Sequence, residues 1–81
     1  MMVKVALFAS ARDIVGTDIL EMNVDEAATV GDVKYELAQQ YPELVAVMER
    51  SMWSVDHEYV DDATTLHESA EIGLIPPVSG G

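Results

Sequence analysis

The apolar residues of this chain follow a two-residue period, switch for one long stretch to a helical period, and then return to two. That pattern leaves little room for anything except a small sheet with one helix across it. Val3, Val5 and Leu7 alternate with Lys4, Ala6 and Phe8, which predicts a first strand with one face turned to a core. Residues Ser10 to Gly16 predict a turn-like or one-turn helical connection ending at a glycine. Leu20, Met22 and Val24, alternating with Glu21 and Asn23, then predict a second strand paired to the first. Thr29-Val30-Gly31-Asp32 has the form of a capping box, in which a hydroxyl and an acid three residues on satisfy free amides at a helix start. Val30, Val33, Leu37 and Tyr41 follow at helical spacing as a core-facing stripe, and Pro42 marks the stop.

Leu44, Val47 and Met48 suggest a shorter helical turn before Arg50. Met52 to Val55 reads as a third strand and Glu58 to Val60 as a short fourth, joined by a tight turn at Asp56-His57. Glu71 to Ile75 closes the pattern, with Ile72 and Leu74 on one face and Gly73 and Ile75 on the other. The expected fold class is therefore α+β: a mixed sheet of about four to five strands with one main helix across one face. Residues 1–75 form the domain, and residues 76–81 an extended tail.

A chain of 81 residues makes one small domain with a thin core, because it buries only about two thirds of its extended surface. One helix covers one face of a small sheet and leaves the other open. Phe8, Ile75 and Trp53 are the large apolar candidates for that open face, where an apolar patch would mark a partner site.

Fifteen acids against four bases give a net charge of −11, which opposes binding to nucleic acid or an anionic membrane and favours basic partners; a solvated acidic surface serving solubility or high salt is the alternative. The N-terminal segment carries Lys4 within a strand pattern and has no secretory signal, and no run approaches the length of a membrane span. Cysteine is absent, which removes disulfides, thiolate metal sites and cysteine nucleophiles together and suits a reducing cytoplasm. No phosphate-cradling glycine loop with its lysine, no dinucleotide fingerprint and no zinc-protease helix is present. His57 and His67 lie beside Asp56, Glu58 and Glu68, but they read as surface histidines in turns, and Asp61-Asp62 reads as a solvated turn. No metal ligand is assigned.

The remaining candidate is the end of the chain, Ile75-Pro76-Pro77-Val78-Ser79-Gly80-Gly81. Two prolines stiffen the exit, and two glycines leave the terminal carboxylate unshielded. Six residues at about 3.3 Å each reach roughly 20 Å, enough to enter another protein's active site. A carboxylate with an ordinary pKa of about 3.3–3.7 is a poor electrophile at neutral pH and must be activated, for example as an acyl-adenylate. Magnesium and cationic side chains must then offset the repulsion between carboxylate and triphosphate, and an activating partner has to supply them.

Thr29-Val30-Gly31-Asp32-Val33 opening the helix, Tyr41-Pro42 closing it, Tyr59-Val60-Asp61-Asp62 after the hairpin and the Pro-Pro-Val-Ser-Gly-Gly ending resemble the small, sulfur-carrying subunit of molybdopterin synthase, a ubiquitin-like β-grasp family. The resemblance covers essentially the whole chain. It implies that Gly81, presented with Gly80, is adenylated by an E1-like enzyme using ATP and magnesium. A sulfur donor protein then converts it to a thiocarboxylate. It further implies that Phe8, Ile75, Pro76, Pro77, Val78 and Ser79 meet the large synthase subunit, where the sulfur passes to a cyclic pyranopterin precursor. It also implies that no cofactor is held tightly, that the chain alone is not a catalyst, and that two small and two large subunits form the assembly. The chain departs from the family at Asp56-His57, where an asparagine-containing pair is usual, at Glu68-Ser69-Ala70-Glu71, where Asp-Gly-Asp-Glu is usual, and at Ile75, where an aromatic is common. Alternatives are a carrier for thiamine synthesis or transfer-RNA thiolation, a protein modifier joined to lysines, and a ubiquitin-like interaction domain with an inert tail.

Overall fold

A computed structural model describes residues 1–77 of the chain. The elements follow in the order β1 (Met2–Leu7), α1 (Ala9–Val15), β2 (Ile19–Asn23), α2 (Val30–Gln40), a 3-10 turn (Pro42–Leu44), α3 (Val45–Met48), β3 (Met52–Val55), β4 (Glu58–Tyr59) and β5 (Glu71–Ile75). The five strands form one mixed sheet in the order β2-β1-β5-β3-β4. β1 and β5 run parallel at its centre, and the other neighbours are antiparallel. This is the α+β architecture expected from the period pattern and the ubiquitin-like β-grasp implied by the resemblance.

The connection after β1 is longer than one turn. α1 spans seven residues and ends where Gly16 takes a left-handed conformation (φ 91°) and its amide closes on Arg12 O at 2.8 Å. α2 starts as its capping box predicts: Thr29 Oγ1 accepts from the Asp32 amide at 3.3 Å, and Asp32 Oδ2 accepts from the Thr29 amide at 2.9 Å. Pro42 ends α2 by opening the 3-10 turn. β4 is one residue shorter than expected, although the Val60 amide still donates to Trp53 O at 3.0 Å.

The core lies between the helices and one sheet face. Val3, Val5 and Leu7 of β1, Ile72 and Leu74 of β5, and Val30, Val33 and Leu37 of α2 are almost wholly excluded from solvent, with Leu44 and Met48 closing one end. At about 1.5–3 kcal/mol for each large aliphatic side chain removed from water, this stripe on stripe is the main force holding α2 to the sheet. Trp53 belongs to this layer, which corrects its expected place on the open face. Trp53 pairs with Leu74 across the β3–β5 ladder, so its side chain shares Leu74's face, and it is 4% exposed. The Lys34 ammonium sits 5.0 Å from the centroid of the indole ring and is also bonded to Asp62 at 2.5 Å.

Candidate functional site

Strand pairing decides which side chains share the uncovered face. Ile19 lies opposite Ala6, Ala6 beside Gly73, Gly73 opposite Ser54, and Ser54 opposite Tyr59, so one row crosses all five strands. Its middle members, Ala6, Gly73 and Ser54, are small and form a floor. Phe8, Ile75, Tyr59, His57 and Glu71 rise around that floor and enclose a depression of about 200 Å³. A Cβ on Gly73 would lie 2.5 Å from Ser54 Oγ, so the glycine is what lets the two strands' side chains coexist there.

The patch around the depression is apolar. Met2, Phe8, Ile19, Met52 and Tyr59 are each about half exposed or more, and Met52 lies opposite Ile75. Large side chains at that exposure on one sheet face are what a docking surface presents. The face turns charged towards the start of β5, where Lys4 sits between Glu21 and Glu71 in the ladder. A complementary surface would therefore carry apolar side chains for the depression and basic groups for its rim.

Two of the expected site residues, Phe8 and Ile75, meet at this depression. Phe8 does so from the residue between β1 and α1, and Ile75 from the last position of β5. Pro76 is buried against the domain, whereas Pro77 is exposed. Val78, Ser79, Gly80 and Gly81 lie outside the described residues. Sequence reasoning missed Met2, Ile19, Met52, Tyr59 and the small-residue floor. The available signal was the alternation in β3: placing Val55 in the core forces Trp53 inward with it and turns Met52 and Ser54 outward.

The β3–β4 turn stands beside the depression. Asp56 Oδ2 faces His67 Nε2 at 2.5 Å, and Asp56 Oδ1 accepts from the Glu71 amide at 3.1 Å. The His67 hydrogen bond, then that of the Glu71 amide, holds the Asp56 carboxyl below its ordinary pKa. The Asp56 hydrogen bond, then that to the Glu68 carbonyl, raises His67. Among the described residues, no three His, Cys, Asp or Glu side chains gather as a metal cluster would require. No helix among them is long and apolar enough to cross a membrane.

Comparison with known proteins agrees with this geometry. Over 82 residues the chain is 32% identical to the molybdopterin synthase sulfur carrier subunit of Dictyostelium discoideum, covering 96% of this chain and 94% of that protein. The fold superposes on the crystal structure of SAMP1 from Haloferax volcanii with a TM-score of 0.90 at 27% identity, each chain covered in full. It also superposes on a chain from the complex of subunits 1 and 2 of the molybdopterin-converting factor of Helicobacter pylori, with a TM-score of 0.75 at 22% identity, covering 100% of both chains. The model of the ThiS family matches residues 5–81. A match that begins inside β1 and continues through Gly81 takes in nearly the whole chain, and on that ground the chain belongs to the ThiS family.

Proposed function

We propose that this chain is the sulfur-carrier subunit of a molybdopterin synthase in the cytoplasm, contributing a reactive terminus and a docking face while catalysis resides in its partners. The observation that carries this reading is the full-length similarity to a molybdopterin synthase sulfur carrier subunit, extending over 96% of the chain. In the proposed sequence an E1-like enzyme binds ATP and magnesium. The Gly81 carboxylate attacks the α-phosphate, pyrophosphate leaves, and an acyl-adenylate forms. A persulfide sulfur of a donor protein then displaces AMP to give an acyl disulfide. A second thiol attacks the donor-side sulfur, so that the S–S bond breaks, a disulfide leaves and the terminus is a thiocarboxylate. Docking of the apolar sheet face on the large subunit delivers Gly80 and Gly81 to the pyranopterin precursor, where the thiocarboxylate sulfur displaces an oxygen substituent to form a thioester. Water then cleaves the acyl carbon–sulfur bond, leaving sulfur on the precursor and a carboxylate on Gly81.

The domain's contribution is placement. Phe8 and Tyr59 line the depression together with Ile75, the residue that precedes the tail, and Met52 pairs with Ile75, so a partner that covers them receives the terminus in a restricted volume, which raises its effective concentration at the reacting centre. Pro77, with its fixed φ, continues that direction beyond the buried Pro76.

Intact mass after expression beside the activating enzyme tests the chemistry. Exchange of one terminal oxygen for sulfur is expected, and an unchanged mass with a competent enzyme and donor overturns the reading. Deletion of Gly81 should abolish molybdopterin formation while leaving thermal unfolding unaltered. The similarity to SAMP1 favours a second reading, in which the same activated terminus is joined to lysines of other proteins. Digests of cell extracts that contain Gly81 in isopeptide linkage would select it.

A further inference from the structure

The β3–β4 turn needs help to hold its shape. Asp56 and His57 both have positive φ, 50° and 72°, as a two-residue hairpin of the type I′ kind requires, and neither is glycine. The help comes from across the loop that precedes β5. The Asp56 amide donates to Glu71 O at 2.8 Å, and the Asp56 carboxylate accepts from the Glu71 amide at 3.1 Å and faces His67 Nε2 at 2.5 Å. His67 Nδ1 faces the Glu68 carbonyl at 2.8 Å. Both ring nitrogens thus point at acceptors. A neutral imidazole has one N–H and can serve one of them; the imidazolium serves both.

Three residues tied together by this arrangement, His57, Tyr59 and Glu71, are one wall of the open-face depression. We propose that Asp56 and His67 are positioning residues for docking: they pin the β3–β4 turn to the start of β5 and thereby hold that wall in the shape a partner recognises. This rests on reading the open face as the docking surface. The charged groups facing the clamp are His57 on the turn, whose Nε2 is 4.0 Å from Glu71 Oε1, and Glu71 itself on β5; Glu68 contributes its carbonyl from the loop. Loss of the His67 proton leaves one of two acceptors without a donor and loosens the wall, so partner affinity should fall as pH rises through the titration of His67. The direction of the His67 shift places that fall above its ordinary value of 6.5.

The test is titration of the purified large synthase subunit with the full chain from about pH 6 to about pH 8.5, with the wild-type chain as parent and His57 kept in every variant. The parent should lose affinity about twofold to fivefold across the range, the scale an exposed ion pair supports. His67→Ala should bind weakly and with a flat profile, and His67→Gln, which retains one donor, should recover part of the affinity and stay flat. In the free chain, the Tyr59 and Glu71 amide resonances should titrate with the His67 ring in the parent and become insensitive to pH in His67→Ala. Equal affinity and an equal pH profile in parent and His67→Ala would overturn the positioning role. So would Tyr59 and Glu71 resonances that ignore His67, whatever the partner does. No binding by the wild type at any pH would instead refute the docking reading and the positioning role with it.

Discussion

Gly73→Ala, measured alone and together with Ser54→Ala, interrogates the floor of the open face. The added Cβ would lie 2.5 Å from Ser54 Oγ, while its next neighbours, Ile75 Cδ1 and Cγ1, are at 3.7 and 3.8 Å, ordinary contact distances. The whole steric cost therefore falls on one side-chain atom. Forcing extra volume into a packed site costs about 1–3 kcal/mol, and replacing a strand glycine by alanine returns about 0.5–1 kcal/mol through lower chain entropy. The single variant should be less stable by about 1 kcal/mol. Removing Ser54 Oγ removes the clash, so Gly73→Ala in the Ser54→Ala background should be neutral or stabilising, a coupling energy of about 1–2 kcal/mol. With a urea slope of about 1 kcal/mol/M for a domain this small, the coupling moves the midpoint by roughly 1–2 M. Trp53 is the single tryptophan and is buried in the core, so its fluorescence reports the transition. A coupling energy indistinguishable from zero would refute the strand register from which the floor is built.

Other consequences follow from named contacts. Leu37→Ala, at a wholly buried position on α2, should cost about 2–5 kcal/mol in urea unfolding, since it empties the centre of the helix-to-sheet layer. Thr29→Ala should cost about 1 kcal/mol by removing the hydroxyl that caps the Asp32 amide, with Thr29→Ser close to wild type in the same assay. Ser69 has φ 67°, a left-handed conformation that favours glycine; Ser69→Gly should raise the thermal midpoint or leave it unchanged, whereas Ser69→Val should lower it. The Asp56–His67 pair should make stability bell-shaped in pH. The raised His67 contributes fully below its ordinary 6.5, and that contribution is lost as pH climbs through its folded value; the lowered Asp56 contributes above its ordinary 3.8, and that contribution is lost as pH drops through its folded value. Differential melting of wild type and His67→Gln across pH measures the basic limb, which the variant should lack.

Local order was legible in the residues because its causes are local. The capping box at Thr29 and Asp32, the stop at Pro42 and the alternations in β1, β2 and β5 each depend on groups within a few positions of one another. The Asp56-His57 turn was legible for the same reason, whereas the positive φ at Ser69 was not. Trp53 was the misleading residue. Met52 and Trp53 are both large and apolar, so size does not choose the phase of β3; pairing with Leu74 does.

The covalent order of apolar and polar groups was enough to establish one main helix and a small sheet and to single out the Gly80-Gly81 ending as a candidate, since each follows from periodicity or from the chemistry of single residues. Strand order, the parallel pairing of β1 with β5, the floor made by Ala6, Gly73 and Ser54, and the meeting of Asp56 with His67 came from the folded arrangement. These contacts join residues far apart along the chain, and their register is chosen by which faces can be buried against α2. No local preference encodes that choice.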